Sequence, residues 1–367
     1  MQKYMMVGAD VHADSVLIKW CVGRGETNKR TFRPGNNGHQ NMIQMIKKVA
    51  EQAGVEHIAF AYEACCMGFG LYDDVTDAGI ECYVLAPTKI ARSPKHRRSK
   101  CDEKDAQRIL ELLRGHLLAG NELPSVWVPD HQTRSDRAIV RRRIQVGQER
   151  TRVKSQIQMT LKRAHLRRPK NTGKGWTIAY RGWLGRLSDS SEGLLPLGEA
   201  LALESLLRQL QWIERELEVQ DHNVEVLSGH ERYAEPCAKV MEIKGVGLIT
   251  AMVFLTEIGD MSRFSNRRQI GAYFGLVPSS NETGDDADRK GHITKQGPWR
   301  VRLVLSQASW MRCGVDSAYG RIVGRNPKKK KIALVALMRR LGILMWHVAL
   351  DAQQQAGCFQ EAAVPPS

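Results

Sequence analysis

Apolar positions change period several times in the first third of the chain. YMMVGADV (4–11) and SVLIKWCV (15–22) are short apolar runs divided by His12-Ala13-Asp14, and NKRTFRP (28–34) is a third extended run. The pattern predicts three strands, the first two joined as a hairpin. From His39 to Gln52 the period lengthens: Met42, Ile43, Ile46 and Val49 share one face and Gly54 follows as a stop, which predicts a helix. EHIAFAYEA then reads as a buried strand, GLYDDVTDAG as a helix, IECYVLAP as a strand and DEKDAQRILELLRG as a third helix.

Three strands followed by helix, strand, helix, strand, helix is the order of a ribonuclease-H-like α/β domain, expected over residues 1–125. Other mixed α/β folds share that order. Downstream the pattern is helical. Residues 134–168 form a basic, Gln-rich run, PKNTGKGW (169–176) is a loop by composition, and 197–227 carries leucines at helical spacing. These segments predict a helical arm over 126–235, suited to oligomerisation or to packing on its own domain. A mostly α domain is expected over 236–355, with a disordered tail at 356–367. KIALVALMRRLGILMWHVAL (331–350) is broken by Arg339 and Arg340, so a buried or interface helix is expected there rather than a membrane span.

Charge narrows the function classes. The 367 residues carry 55 Lys+Arg against 39 Asp+Glu, a net charge of +16, which favours an extended anionic partner, nucleic acid ahead of a membrane surface. Residues 134–168 hold twelve Lys and Arg against two acids, and Arg141, Arg142 and Arg143 within them are candidate backbone contacts. The eight cysteines include no C-x-x-C pair, several lie in apolar runs, and the N-terminus lacks a cleavage pattern, so reduced thiols and a cytoplasmic location are expected. In VMEIKGVGLITAMVFLTEIG (240–259), Gly245 and Gly247 interrupt a pair of apolar helical stretches beside Lys244. Glycines there let backbone N–H groups approach a phosphate at a helix start, the logic of a helix-hairpin-helix element, although a plain packing corner also wants small residues.

The acids supply candidate chemistry. Asp102 and Asp105 stand three apart at a helix start, on one face, among Lys100, Lys104 and Arg108. Acids in a first turn also simply suit the helix dipole. In a ribonuclease-H-like sheet, however, the first strand lies beside the fourth, so Asp10 and Glu63 would emerge side by side near that helix. Four carboxylates around one point require a cation, and hard oxygen ligands favour Mg2+ or Mn2+. Such ions assist in-line attack on phosphate while Lys100 and Lys104 hold the backbone. Asp14 and Glu103 are also near and receive no role.

Asp10, Glu63, Asp102 and Asp105, set in GADVHADS, AYEACCMG and KCDEKDAQRI, resemble the DEDD tetrad of insertion-sequence transposases with a RuvC-like catalytic domain, whose characterised members are recombinases guided by a bridge RNA. IKGVGLITA and FGLVPSSNETG…RKGHITKQGPWRVR resemble the second transposase domain of that family. The resemblance implies a hydroxyl nucleophile toward DNA in the latter loop, where the family carries serine before glycine. Here that position is Thr283, before Gly284, with Ser279 and Ser280 as alternatives. It also implies DNA (element ends and target), a guide RNA and a homo-oligomer, dimer or tetramer, with no membrane. The expected activity is therefore DNA cutting and rejoining by a Mg2+-assisted (or Mn2+-assisted) hydroxyl. A junction-resolving or ribonuclease-H-type endonuclease using water, and a non-catalytic nucleic-acid-binding protein, are the rival readings. No P-loop or dinucleotide fingerprint is present.

Overall fold

The computed structural model describes residues 3–33, 37–90, 101–280, 290–314 and 317–357. Contacts divide the chain into two compact units, one ending at Pro129 and one beginning at Asp130.

The first unit contains β1 (Tyr4–Val11), β2 (Val16–Val22), β3 (Asn28–Phe32), α1 (Gly38–Gln52), β4 (His57–Glu63), α2 (Gly70–Asp77), β5 (Glu81–Leu85) and α3 (Asp102–Ala119). Its sheet has the order β3-β2-β1-β4-β5, with β1–β2 and β2–β3 antiparallel and β1–β4 and β4–β5 parallel. Alternation along β1 sends Met5, Val7 and Ala9 into a core with Ile46 of α1 and Val75 of α2. Met6 faces the other way, into a core with Ala59, Ala61 and the α3 residues Ile109, Leu110 and Leu113. β1 is thus central and covered on both faces, while β3 is an exposed edge.

Gly8 continues the Met6 face, and α3 lies directly on it. A Cβ at Gly8 would fall 2.7 Å from the Ala106 carbonyl oxygen and 2.8 Å from Leu110 Cα, a collision with backbone that no rotamer relieves. This close approach fixes the first turn of α3 at the carboxyl end of β1.

The second unit contains α4 (His131–Arg163), α5 (Ile178–Ser188), α6 (Leu197–Ser228), α7 (Glu231–Met241), α8 (Leu248–Ile258), α9 (Arg267–Tyr273), the hairpin β6 (Pro278–Ser280) and β7 (Lys290–Ile293), α10 (Trp299–Arg312), α11 (Ser317–Arg325) and α12 (Lys330–Ala356). One apolar core joins α4, α5 and α6 through Val153, Ile157, Leu184, Leu203 and Leu210. A second joins Val140, Ile144 and Val224 of α4 and α6 to α8, α10 and α12, so the long helices share a core with the C-terminal helices. The helix α5 was not expected; Pro169, Gly173 and Gly175 mask its start, and Thr177 caps it by accepting from the Tyr180 N–H at 3.2 Å. The stretch Pro327–Ala356 has the length and apolarity of a membrane span, yet half of it lies inside the molecule. Leu337, Leu341, Met345 and Trp346 are core residues, and the Trp346 indole N–H donates to the Met261 carbonyl at 3.0 Å.

Candidate functional site

β1 ends just past Asp10 and β4 ends in Glu63. Parallel pairing of Ala9 with Tyr62 makes these two acids neighbours one step on, and strand alternation puts both on the α3 side of the sheet, in phase with Gly8 and Ala61. Asp102 and Asp105 occupy the first turn of α3. Asp10 is largely covered, with 14% of its side chain exposed, whereas Asp102 is half exposed. His12, just beyond β1, stands between them: its Nε2 is 3.2 Å from Asp10 Oδ2 and 3.4 Å from Asp102 Oδ1. Burial raises the Asp10 pKa above the ordinary aspartate value; His12 opposes the rise, and the charges of Asp102 and Asp105 add to it. Asp10 therefore feels the charges of two of the other predicted acids at the carboxyl end of β1. Glu63 is partly buried beside them on the sheet.

Asp105 accepts from Arg108 Nη1 at 3.2 Å along the helix. Glu103 turns the other way and meets Lys19 of β2 at 3.2 Å and Lys29 of β3 at 3.0 Å. These lysines tie the start of α3 to the sheet and keep Glu103 out of the acid group. Hydrogen bonds from Lys29 and Lys19 lower the Glu103 pKa. Lys104 and Asp14 are exposed, and Lys100 lies outside the described residues.

Donor chemistry decides what the acid group can hold. Asp10, His12 and Asp102 each offer a ligand atom, all within 4.8 Å of one another, and form a candidate divalent-metal site. Carboxylate oxygens crowded at one point fit a divalent cation, which would offset the repulsion that Asp102 and Asp105 add to the effect of burial on Asp10. His12 was missed as a site residue. Its only signal in the sequence was a ring two residues beyond an acid near the end of a strand, inside a triplet that reads equally well as a plain turn.

The predicted basic residues are placed differently from one another. Arg141 on α4 clamps Glu257 of α8 through Nε to Oε1 at 2.7 Å and Nη2 to Oε2 at 2.8 Å, and Glu257 is 4% exposed. Arg143 donates to Asp221 of α6 at 2.6 Å, and Arg142 pairs with Glu149 of its own helix at 3.5 Å. Their charge is already engaged by acids within the helical unit. Arg152, Lys162, Arg163 and Arg167, farther along the same run, are exposed.

Lys244, Gly245 and Gly247 lie in the turn between α7 and α8, and all three are exposed. Gly245 takes φ +88°, which L side chains rarely adopt, and a Cβ there would also meet the Ala308 carbonyl at 3.1 Å. Gly247 is the residue before α8 and opens to free space. Thr283 lies outside the described residues. Ser279, on β6, donates its hydroxyl to the His292 carbonyl of β7 at 3.0 Å, while for Ser280 only the backbone is described.

Comparison with known proteins agrees in both units. A transposase model of the DEDD type from IS110 elements matches residues 7–166, and the Transposase IS116/IS110/IS902 family model matches residues 237–321. The first span holds all four acids and the second holds Lys244, Gly245, Gly247 and Thr283. The chain is 24% identical over 313 residues to the transposase for insertion sequence element IS1533 of Leptospira borgpetersenii, covering 84% of this chain and 86% of that one. It is 27% identical over 308 residues to the transposase for IS1111A of Coxiella burnetii, covering 84% and 78%. With the acids grouped beside β1 and both family domains present in order, the chain belongs to the IS110/IS116 family of insertion-sequence transposases, enzymes that cut and rejoin DNA.

Proposed function

We propose that the protein performs strand exchange at a ribonuclease-H-like centre where Asp10, Glu63, Asp102 and Asp105 hold Mg2+ or Mn2+. The observation that carries this reading is the approach of Asp10 and Asp102 to a common point at the end of β1, with Asp10 perturbed by burial and by the neighbouring acids. A bound divalent ion would lower the barrier by neutralising charge on the phosphate oxygens. The chain's own residues do the rest. The acids fix the ion, Lys104 lies next to them in sequence to steer the phosphate backbone, and Thr283 supplies the attacking hydroxyl.

In the first step the Thr283 oxygen bonds to phosphorus, its proton leaves, and the displaced DNA oxygen departs as a hydroxyl. In the second a DNA hydroxyl attacks the same phosphorus and Thr283 is regenerated. Each step exchanges one phosphoester for another, so no nucleotide is consumed. The tied hydroxyl of Ser279 supports Thr283 or Ser280 over Ser279 as nucleophile.

The turn with Lys244, Gly245 and Gly247 is proposed as a helix-hairpin-helix contact to a DNA phosphate, because its backbone is exposed at the start of α8. The outward-facing Arg152, Lys162 and Arg163 are proposed as the contact to a guide RNA backbone. Assembly as a dimer or tetramer is supported by Trp212, Val219 and Val226 of α6, seven residues apart and 58%, 53% and 63% exposed. The test is strand transfer with Mg2+ by Asp10→Asn and Asp105→Asn variants. Both should be inactive while still binding nucleic acid, and full recombination by either overturns the tetrad assignment.

A further inference from the structure

We propose that His12 is a nitrogen ligand of the metal ion and that it makes this centre prefer Mn2+ to Mg2+. The inference rests on the carboxylate-metal reading above and adds to it the identity of a donor and of the cation. Position comes first. His12 follows the last residue of β1, and its backbone N–H donates to the Ser15 carbonyl at 2.8 Å, closing the turn into β2. The ring is therefore carried on a hydrogen-bonded turn between two paired strands. Its Nε2 stands 3.2 Å and 3.4 Å from oxygens of Asp10 and Asp102, and its side chain is 36% exposed. Asp10, His12 and Asp102 each offer a ligand atom within 4.8 Å of one another, so the imidazole is a further donor beside the acids.

Donor type then sets the preference. Mg2+ is small and hard, demands near-ideal octahedral oxygen coordination and gives up its water reluctantly. Mn2+ shares the carboxylate chemistry but accepts imidazole nitrogen more readily. Carboxylates alone serve either ion; carboxylates joined by a ring nitrogen favour Mn2+. The competing arrangement is a ring that only hydrogen-bonds the two acids and stays outside the coordination shell.

The experiment uses untagged full-length protein with Mn2+ or Mg2+ alone as the probe. Pulsed electron paramagnetic resonance of the Mn2+-loaded protein should show coupling to an imidazole 14N nucleus. Titration calorimetry should give tighter binding of Mn2+ than of Mg2+. His12→Gln should lose the nitrogen coupling and weaken Mn2+ binding about tenfold, while Mg2+ binding changes by less than about twofold. Unchanged circular dichroism and melting would show that the variant is folded. Asp10→Asn should lose the bound ion and the coupling together. If the wild type binds Mn2+ in an Asp10-dependent way but shows no nitrogen coupling, His12 is not a ligand and the carboxylate reading stands. If neither ion binds the wild type, both readings fail.

Discussion

Arg141 grips both oxygens of the buried Glu257 carboxylate, at 2.7 and 2.8 Å, although 116 residues separate the two in sequence. Arg137 adds bonds to the carbonyls of Thr256 and Glu257 at 2.7 and 2.8 Å, and Arg300 Nη1 stands 3.7 Å from the same carboxylate. The most basic stretch of the chain thus spends some of its charge on the end of α8. Arg141→Ala should lower unfolding stability by about 1.5–3 kcal/mol, the range for losing hydrogen bonds to a charged group. Arg152→Ala and Arg163→Ala should leave melting unchanged and flatten the salt dependence of RNA binding. Chemical denaturation and filter binding separate these effects. A stable Arg141→Ala protein with a selective RNA defect would assign Arg141 to the ligand instead.

Asp130 supplies a pH signature. It caps α4 by accepting from the Thr133 N–H at 2.7 Å, and it pairs with Arg232 at 2.7 and 3.0 Å. Burial pushes its pKa up, but hydrogen bonds from Arg232 and Thr133 outweigh that and leave it well below the ordinary value. A depressed folded pKa contributes stability above the unfolded value, about 3.9, and loses it as pH falls below that. Asp130→Ala should therefore cost about 1 kcal/mol at pH 7. The gap between variant and wild type should shrink as denaturation is repeated at successively lower pH through the carboxylate range. A constant gap across that range would deny the linkage.

Gly8 sets the distance between β1 and α3. Gly8→Ala places a methyl against the backbone of Ala106 and Leu110, so the helix must move. Overpacking of this kind costs about 1–3 kcal/mol. Strand transfer should fall more steeply than stability, because the first turn of α3 carries Asp102 and Asp105. Melting and recombination assays on the same preparation test this, and wild-type activity in the variant would mean that the close approach is dispensable.

Thr283 carries the boldest expectation. Thr283→Ala should abolish the covalent protein–DNA adduct and recombination, whereas Thr283→Ser should keep both. The readout is a denaturing gel with labelled DNA, followed by peptide mapping. Adduct that survives Thr283→Ala but not Ser280→Ala would move the nucleophile to Ser280. Cleavage of cognate DNA with no adduct in any protein would point to water.

The order of the eight elements of the first unit was legible because apolar period changes cleanly there, from two along β1 and β4 to helical at Met42, Ile43 and Ile46. That order in turn put Asp10 beside Glu63, since the parallel neighbour of a first strand follows from topology. What stayed hidden depended on distant partners. Nothing near Arg141 or Arg143 announces Glu257 or Asp221, which lie 116 and 78 residues away. Glu103 resembles Asp102 and Asp105 in sequence, and only the fold brings Lys19 and Lys29 to claim it. His12 was obscured by a turn whose sequence needs no histidine.

The bare backbone of Gly8 bears on how such elements age within a genome. Every missense change in that codon adds a side chain where α3 leaves no space. An insertion-sequence copy can therefore fall silent while its four acids remain intact. Counting working copies by their carboxylates alone would overstate how many can still move.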